Sequence, residues 1–262
     1  MRFRPGQISI AAPPNMTDLF GSTRSVLKGR YALLAPSGFV PSVLPGWQKA
    51  VCHIVISPAM GARFCQIHAT LETEGQCLGN TGANQFFVYV IEGASSILIE
   101  ERRRRLEAGS YVYLPAGTDV QLKSDGPATR LLIFQKPFHP LTGSDKPVAI
   151  IGHERDIKGQ AFLGNEAALL QVLLPDEPAF DMAVNIFTYQ PGATLPFVET
   201  HIMEHGLLML RGQGIYRLDA DWHPVQAGDV IWMAPYCPQW FVAMGKTPAS
   251  YIYYKDVNRD PI

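Results

Sequence analysis

Three side chains that commonly bind metals lie close together in the second half of this 262-residue sequence. Glu199, His201 and His205 all fall between Gly192 and Gly212. On a strand, side chains alternate with a period of two, so Glu199 and His201 point to the same face, and His205 can join them across a bend. Two imidazoles and a carboxylate in this pattern predict a metal site.

The elements that must position these side chains are predicted to be strands. Helical periodicity is scarce, and 23 Gly and 21 Pro separate short apolar or alternating runs, which is typical of an all-β protein. Antiparallel sheets of this kind bury one face and protect their edges by folding over one another, as in a jelly-roll barrel. The clearest runs are Phe86–Ile91, Ser110–Leu114, Arg130–Phe134, Leu207–Leu210, Val230–Met233 and Tyr251–Tyr254.

The sequence also contains an internal repeat. Gly93 and Gly212, Gly109 and Gly228, and Lys136 and Lys255 each lie 119 residues apart, which predicts two copies of one unit without a gap. A polar, turn-rich segment over residues 139–147 separates the copies. We therefore expect an N-terminal unit of residues 1–147 and a C-terminal unit of residues 148–262.

The spacing of the metal-binding residues resembles that of the cupin superfamily. Its first motif has His-x-His and then Glu four residues on, whereas here Glu199-x-His201 precedes His205, so Glu and His have exchanged places. Its second motif places a His eleven residues after a Gly, and eleven residues after Gly228 is Gln239. The resemblance implies a bicupin, two tandem jelly-roll barrels, with one divalent metal bound by Glu199, His201, His205 and Gln239.

The donor atoms of this set narrow the choice of metal ion. Two imidazoles, one carboxylate and one amide oxygen, without thiolate, suit manganese, iron, cobalt or nickel more than structural zinc. A six-coordinate ion would keep two open positions, which indicates a catalytic role. In the first copy, the positions 119 residues before the four ligands are Asn80, Gly82, Phe86 and Val120. We therefore expect the N-terminal barrel to be metal-free and structural.

Longer segments resemble the (S)-ureidoglycine aminohydrolase family over nearly the whole chain. They are Tyr31-Ala-Leu-Leu-Ala-Pro-Ser-Gly38, Val43-Leu-Pro-Gly46, Gly214-Ile-Tyr-Arg-Leu-Asp219 with Trp222, and Tyr251-Ile-Tyr-Tyr-Lys-Asp-Val-Asn-Arg-Asp260. The resemblance implies a bicupin of purine catabolism with one Mn²⁺ per chain, which converts ureidoglycine to ureidoglycolate and ammonia. It also implies substrate contacts by Glu199, Gln239, Tyr251 and Lys255.

Alternation along the last strand places further groups beside the expected site. Tyr251, Tyr253 and Lys255 share one face of that strand. We expect Lys255 either to donate a proton to the leaving amine or to hold the substrate carboxylate. Tyr216 is a secondary candidate for the pocket wall.

Two other functions remain open at the level of sequence. One is an iron-dependent cupin dioxygenase, although Gln239 stands where such an enzyme has a histidine ligand. The other is a non-enzymatic cupin that binds a metal or a sugar. Lys255 and the tyrosines favour an enzyme over a binding protein.

Composition narrows the choice of partners. A formal net charge of -1 and a pI near 6.6 give no broad attraction for nucleic acid or anionic lipid, so a small-molecule substrate is expected. No stretch is long enough for a signal-peptide core or a membrane span, and four scattered cysteines fit reduced thiols in the cytoplasm. Exposed sheet edges predict a homo-oligomer of unknown order.

Overall fold

Twenty strands and three short 3-10 helices form the part of the chain that the structure, a computed structural model, describes, namely residues 23–99 and 101–260. The strands of the first half are β1 Val26–Leu27, β2 Tyr31–Leu34, β3 Trp47–Ile56, β4 Cys65–Asn80, β5 Asn84–Glu92, β6 Ala94–Ile99, β7 Arg102–Glu107, β8 Ser110–Leu114, β9 Asp119–Ser124 and β10 Ala128–Pro137. Those of the second half are β11 Ile150–His153, β12 Gln160–Phe162, β13 Asn165–Val172, β14 Met182–Tyr189, β15 His205–Arg211, β16 Gln213–Leu218, β17 Asp221–Gln226, β18 Val230–Met233, β19 Gln239–Met244 and β20 Ala249–Asp256. The helices are Pro36–Gly38, Pro58–Met60 and Glu154–Asp156. The all-β prediction is confirmed, and each of the six predicted runs lies within an observed strand.

Antiparallel pairing arranges the strands in two barrels. The first barrel is one sheet in the order β11-β8-β5-β10-β4-β9-β6-β7, with β3 also paired to β4. The second barrel combines the sheet β1-β2-β18-β15-β20-β14-β13-β12 with the sheet β17-β16-β19. Isolated bridges from Thr194 and Glu199 to β19 tie the segment before β15 to the smaller sheet.

Strands cross the expected boundary at residue 147 in both directions. β2, which comes from the first half, pairs with β18 of the second barrel through Leu33 and Ile231. β11, which follows the boundary, pairs with β8 of the first barrel through Ile151 and Val112. Each barrel therefore takes an edge strand from the other half of the chain, so the sheets do not divide at residue 147.

The fold has three apolar cores, one inside each barrel and one between the barrels. One core fills the interior of the first barrel and another fills the second. The third lies between the barrels, where large side chains of both halves meet, and the rings of Phe64 and Tyr254 lie 4.2 Å apart. Gly206 permits this close packing because a Cβ atom there would lie 2.3 Å from the ring of Phe64. The barrels are thus joined by a continuous buried interface.

The two copies are related by a repeat with a one-residue shift, so the prediction of a gapless repeat is wrong beyond Met233. Four residues, 115–118, link β8 to β9, whereas five, 234–238, link β18 to β19. In the first barrel Asn80 pairs with Asp119, as Glu199 pairs with Gln239 in the second. The structural counterpart of Gln239 is therefore Asp119 rather than Val120.

The same shift separates the two lysines that the sequence aligned. Lys255 pairs with His205, whereas the position that pairs with Phe86 in the first barrel is Gln135. Lys136 is the next residue, and its side chain points into the interface between the barrels, where it binds Asp181. The match of Lys136 with Lys255 is therefore wrong, and Lys136 says nothing about the role of Lys255.

No helix among residues 23–99 and 101–260 is long and apolar enough to cross a membrane. The N-terminal segment considered for a signal peptide lies in residues 1–22, outside the described residues. All four cysteines have free thiols.

Candidate metal centre

A cavity inside the second barrel gathers every site residue that the sequence predicted. It is a small, partly open cavity with a volume of about 160 Å³. The residues around it are Phe162, Leu170, Phe187, Glu199, His201, Met203, His205, Leu207, Tyr216, Met233, Gln239, Tyr251, Tyr253 and Lys255.

The two histidines converge at one side of this cavity. Their Nε2 atoms lie 3.2 Å apart, and their rings stand at 86° to each other. Each Nδ1 atom lies 3.2 Å from a backbone carbonyl, that of Met203 for His201 and that of Tyr254 for His205. A carbonyl only accepts hydrogen bonds, so both Nδ1 atoms carry the proton and both Nε2 atoms present a lone pair to each other.

Burial keeps both imidazoles neutral. It lowers the pKa of His205 to about 3, and the nearness of His201 and Lys255 lowers it further, because a protonated His205 would be repelled by a positive charge on either. It also lowers the pKa of His201. Two facing lone pairs repel each other unless a cation lies between them, and neutral imidazole is the form that binds metals. The pair therefore fits a divalent metal.

Gln239 completes this side of the cavity. One end of its amide lies 2.9 Å from Nε2 of His201, and the other end accepts a hydrogen bond of 3.3 Å from the hydroxyl of Tyr216. The nitrogen and oxygen of an amide are assigned from such contacts and can be exchanged. With the amide turned over, its oxygen faces the imidazoles as a ligand, and its nitrogen donates to Tyr216.

Glu199 is brought to the site by pairing with Gln239. Their backbones exchange two hydrogen bonds of 2.9 Å, although the chain from residue 200 to 204 is irregular rather than a strand. Burial raises the pKa of Glu199, and the positive charge of Lys255 opposes this shift. Among the described residues, no three His, Cys, Asp or Glu side chains form a metal-sized cluster. The converged set is two imidazoles and an amide, with Glu199 lining the same cavity.

Lys255 lies next to the histidines on the floor of the cavity. It pairs with His205 on one neighbouring strand and with Ala183, a small residue, on the other. It makes no hydrogen bond or ion pair with any residue in the described ranges. A charged group that lines a cavity without a protein partner is suited to binding an anionic ligand.

Arg63, a residue of the first half of the chain, binds the two residues next to His205 and Lys255. The backbone nitrogen of Arg63 donates to the Glu204 carboxylate at 2.9 Å, and its guanidinium contacts Glu204 at 3.4 Å and Asp256 at 2.5 Å. Asp256 in turn accepts a 2.7 Å hydrogen bond from the backbone of Glu204. Because Glu204 and Asp256 are the neighbours of His205 and Lys255, this cluster holds the two strands in register behind the site.

Comparison with known proteins places this site in a family. The model of the cupin domain family matches residues 185–254. A probable (S)-ureidoglycine aminohydrolase of Oryza sativa subsp. japonica is 40% identical over 254 residues, which are 96% of this chain and 81% of that protein. The (S)-ureidoglycine aminohydrolase of Arabidopsis thaliana is 38% identical over 252 residues, covering 96% of this chain and 84% of that protein. The chain belongs to the (S)-ureidoglycine aminohydrolase family.

A solved structure agrees with this assignment. The crystal structure of protein Ylba from E. coli superimposes with a TM-score of 0.83 at 32% identity, over 92% of this chain and 97% of that one. As a member of the (S)-ureidoglycine aminohydrolase family, the chain is a hydrolase with the bicupin fold.

In this member of the (S)-ureidoglycine aminohydrolase family, the cavity also uses residues that sequence reasoning missed. Asn185, Phe187 and Tyr189 alternate on one face of β14, the face on which the paired strand β20 carries Tyr251 and Tyr253, and Phe187 itself lines the cavity. The hydroxyls of Tyr189 and Tyr251 lie 3.0 Å apart, and Asn185 donates to the hydroxyl of Tyr253 at 3.1 Å. Their period of two was visible in the sequence, but the pairing of β14 with β20 was not.

Proposed function

We propose that this chain is a manganese-dependent hydrolase that converts (S)-ureidoglycine and water to (S)-ureidoglycolate and ammonia, a step of purine catabolism after allantoate. The observation that carries the proposal is a single cavity in which Lys255, free of protein partners, lies beside the converging His201, His205 and Gln239. Relatives at 38–40% identity bear the name of this activity.

The cavity is complementary to the three groups of this substrate. Ureidoglycine carries a carboxylate, an amine and an uncharged planar ureido group on one carbon. Lys255 and the predicted metal ligands provide the charged and polar lining of the cavity, whereas Phe162, Leu170 and Phe187 provide an uncharged wall. Charged groups of the substrate are thus expected near Lys255, and the ureido group against the aromatic wall.

His201, His205, Gln239 and Glu199 would hold the Mn²⁺ ion. When bound, the ion supplies positive charge that lowers the pKa of a coordinated water and anchors the substrate. The chain itself prepares the site, because two carbonyls fix the tautomers of both imidazoles and leave their Nε2 atoms facing one point.

Lys255 is assigned to the substrate carboxylate. An ammonium group that makes no direct ion pair gains most from a ligand that brings a carboxylate, and the surrounding burial strengthens the attraction. The hydrolysis breaks the bond from carbon to the amine nitrogen and forms one to a water oxygen, and the proton lost by the water leaves with the ammonia.

Ammonia release tests the proposal directly. Ureidoglycine generated enzymatically from allantoate is supplied to the purified chain with added Mn²⁺, and we expect stoichiometric ammonia and ureidoglycolate without oxygen uptake. Oxygen consumption without ammonia would instead indicate a cupin dioxygenase.

Metal analysis tests the ligand set separately. We expect about one Mn²⁺ per purified wild-type chain, and a loss of most of it in His201→Ala and Glu199→Ala. His139→Ala is the matched control, because His139 is an exposed histidine far from the cavity in the fold. Equal metal content in all three variants would refute the ligand assignment.

A further inference from the structure

Three tyrosines line the cavity, and their hydroxyls differ in what they bind. Tyr216 donates to the Gln239 amide, and Tyr251 shares a hydrogen bond with Tyr189. The hydroxyl of Tyr253 accepts from Asn185, and no residue in the described part of the chain accepts its proton. Tyr253 is therefore one lining tyrosine whose hydroxyl proton is left for a ligand, and Tyr216 becomes another when the Gln239 amide turns its oxygen to the metal.

Asn185 holds that hydroxyl from within the wall. It pairs directly with Tyr253 across β14 and β20, it is only 3% exposed, and its Nδ2 donates to the hydroxyl at 3.1 Å. Its Oδ1 is buried and has no hydrogen-bond partner among the described residues. A buried acceptor without a donor costs free energy in this orientation of the amide, in which Nδ2 rather than Oδ1 contacts the Tyr253 hydroxyl.

The surroundings of Tyr253 show what kind of group the hydroxyl would meet. Its ring stacks on Phe187 at 5.9 Å with an interplanar angle of 12°, and Leu207 also lines this part of the cavity. Burial raises its pKa, so the hydroxyl keeps its proton at neutral pH. A neutral donor beside flat apolar surfaces favours an uncharged planar acceptor over a carboxylate.

We propose that Tyr253 binds the ureido group of the substrate, by donating its hydroxyl proton to the ureido carbonyl oxygen, and that Asn185 is the positioning residue for this contact. The inference rests on the proposed function, since it names the part of that substrate which this wall recognises. Asn185 donates to one lone pair of the hydroxyl and does not accept its proton, which is therefore available to a ligand in the cavity. The pair then selects a carbamoylated amine, while Lys255 holds the carboxylate.

Binding of two unreactive probes tests this proposal without turnover. N-carbamoylglycine keeps the ureido group and carboxylate but lacks the leaving amine, and 4-methylpentanoate has the same skeleton with hydrocarbon in place of the ureido group. Titration calorimetry on the Mn²⁺-loaded chain measures both. We expect wild type to prefer N-carbamoylglycine, and Tyr253→Phe to weaken its binding roughly three- to tenfold while leaving 4-methylpentanoate unchanged.

Asn185→Asp separates positioning from structural support. The carboxylate has the same shape but cannot donate, so the Tyr253 hydroxyl turns its proton to Asp instead, and we expect the same selective loss for N-carbamoylglycine. Tyr113→Phe is the matched control, because Tyr113 is a buried tyrosine of the other barrel whose hydroxyl also bonds an amide, that of Gln85. It should leave both affinities unchanged.

The outcomes are distinct from those of the activity test. Equal weakening of both probes, no weakening in either variant, or a wild type that does not prefer N-carbamoylglycine would each overturn the proposal. If the probes behave as expected but ureidoglycine releases no ammonia, ureido recognition stands and the proposed reaction fails.

Discussion

At the residue scale, the site depends on backbone carbonyls that set the protonation of two histidines. The carbonyls of Met203 and Tyr254 each hold an Nδ1 proton, so the Nε2 atoms of His201 and His205 face each other at 3.2 Å. Neither ring gains its positive charge easily, because burial lowers both pKa values. The chain therefore holds two neutral imidazoles in an arrangement that a bound cation would stabilise.

Lys255 provides the sharpest residue-scale prediction. We expect Lys255→Met to raise KM for ureidoglycine at least about tenfold with unchanged metal content, because the carboxylate loses its charge-assisted hydrogen bond. Steady-state ammonia release measures this, and Lys255→Arg should recover part of the affinity. Lys246→Met, at an exposed position, is the control. An unchanged KM with a lower kcat would contradict anchoring and indicate proton donation.

His68 should make the stability of the fold depend on pH. Burial lowers its pKa to about 3, with smaller contributions from the positive charges of Arg130 and His53. Between about pH 6.5 and 3 the unfolded chain binds a proton at this residue and the folded chain does not, so stability falls as the pH drops. We expect His68→Gln to reduce the loss of unfolding free energy between pH 7 and 5 by about 1–2 kcal/mol.

Denaturant titrations at several pH values give this difference. His139→Gln is the control, because it makes the same change at a histidine that is exposed in the fold. If the unfolding free energy of His68→Gln falls with pH as steeply as that of the wild type, His68 must bind its proton in the folded chain as well.

At the scale of elements, the site depends on register. Because the β18–β19 connection is one residue longer than the β8–β9 connection, Lys255 of β20 is the counterpart of Gln135 of β10, and Lys136 lies one residue further along. A shift of one residue moves a side chain to the other face of a sheet. Lys255 therefore faces the cavity, while Lys136 faces the other barrel.

The turn between β15 and β16 offers a test at this scale. Gly212 has φ of +74°, and a Cβ atom there would lie 2.6 Å from both Cα of Ala249 and the carbonyl oxygen of Pro248. We expect Gly212→Ala to destabilise the chain by about 3 kcal/mol, from strain at positive φ and overpacking together.

Gly192→Ala is the matched control for this turn. Gly192 has φ of +82° but nothing within 4 Å of the added Cβ, so only the strain of about 1 kcal/mol remains. Chemical denaturation measures both changes. Equal losses of unfolding free energy in the two variants would show that the close approach of residue 212 to residues 248 and 249 does not contribute to the effect.

At the scale of the whole molecule, the first barrel supports the site of the second. Arg63 clamps the neighbours of His205 and Lys255, and the barrels exchange edge strands in both directions. The interface between the barrels also contains a buried polar network. Nζ of Lys136 lies 2.8 Å from the Asp181 carboxylate, and the side-chain amide of Gln85 donates to the same carboxylate. The first barrel thus contributes to the geometry of the site without lining it.

The Lys136–Asp181 pair should contribute strongly to stability, because both groups are almost fully buried. We expect Lys136→Met to cost about 3–5 kcal/mol, since Asp181 would keep its charge in a buried interface without a cation. Thermal or chemical unfolding measures the loss. Lys28→Met is the control, because its partner Asp221 is exposed and such pairs contribute about 0–1 kcal/mol. Similar small losses of unfolding free energy in both variants would show that the Lys136–Asp181 pair does not stabilise the fold as a buried ion pair.

Local spacing in the sequence determined the strand runs, the all-β class and the repeated unit, and the resemblance to the cupin motifs predicted the Glu199, His201, His205 and Gln239 set. These features depend on neighbours along the chain, where the period of two and fixed motif distances are visible. The alternation that sets Tyr251, Tyr253 and Lys255 on one face belongs to the same level.

Only the tertiary structure decided which strands meet and in which register. The exchange of β2 and β11 between barrels, the opposite orientations of Lys136 and Lys255, the Arg63 clamp and the Asn185–Tyr253 pair all join residues far apart in sequence. No local pattern encodes such pairings, because they join segments that are far apart along the chain, and a shift of one residue in their register turns every side chain of a strand to the other face of the sheet.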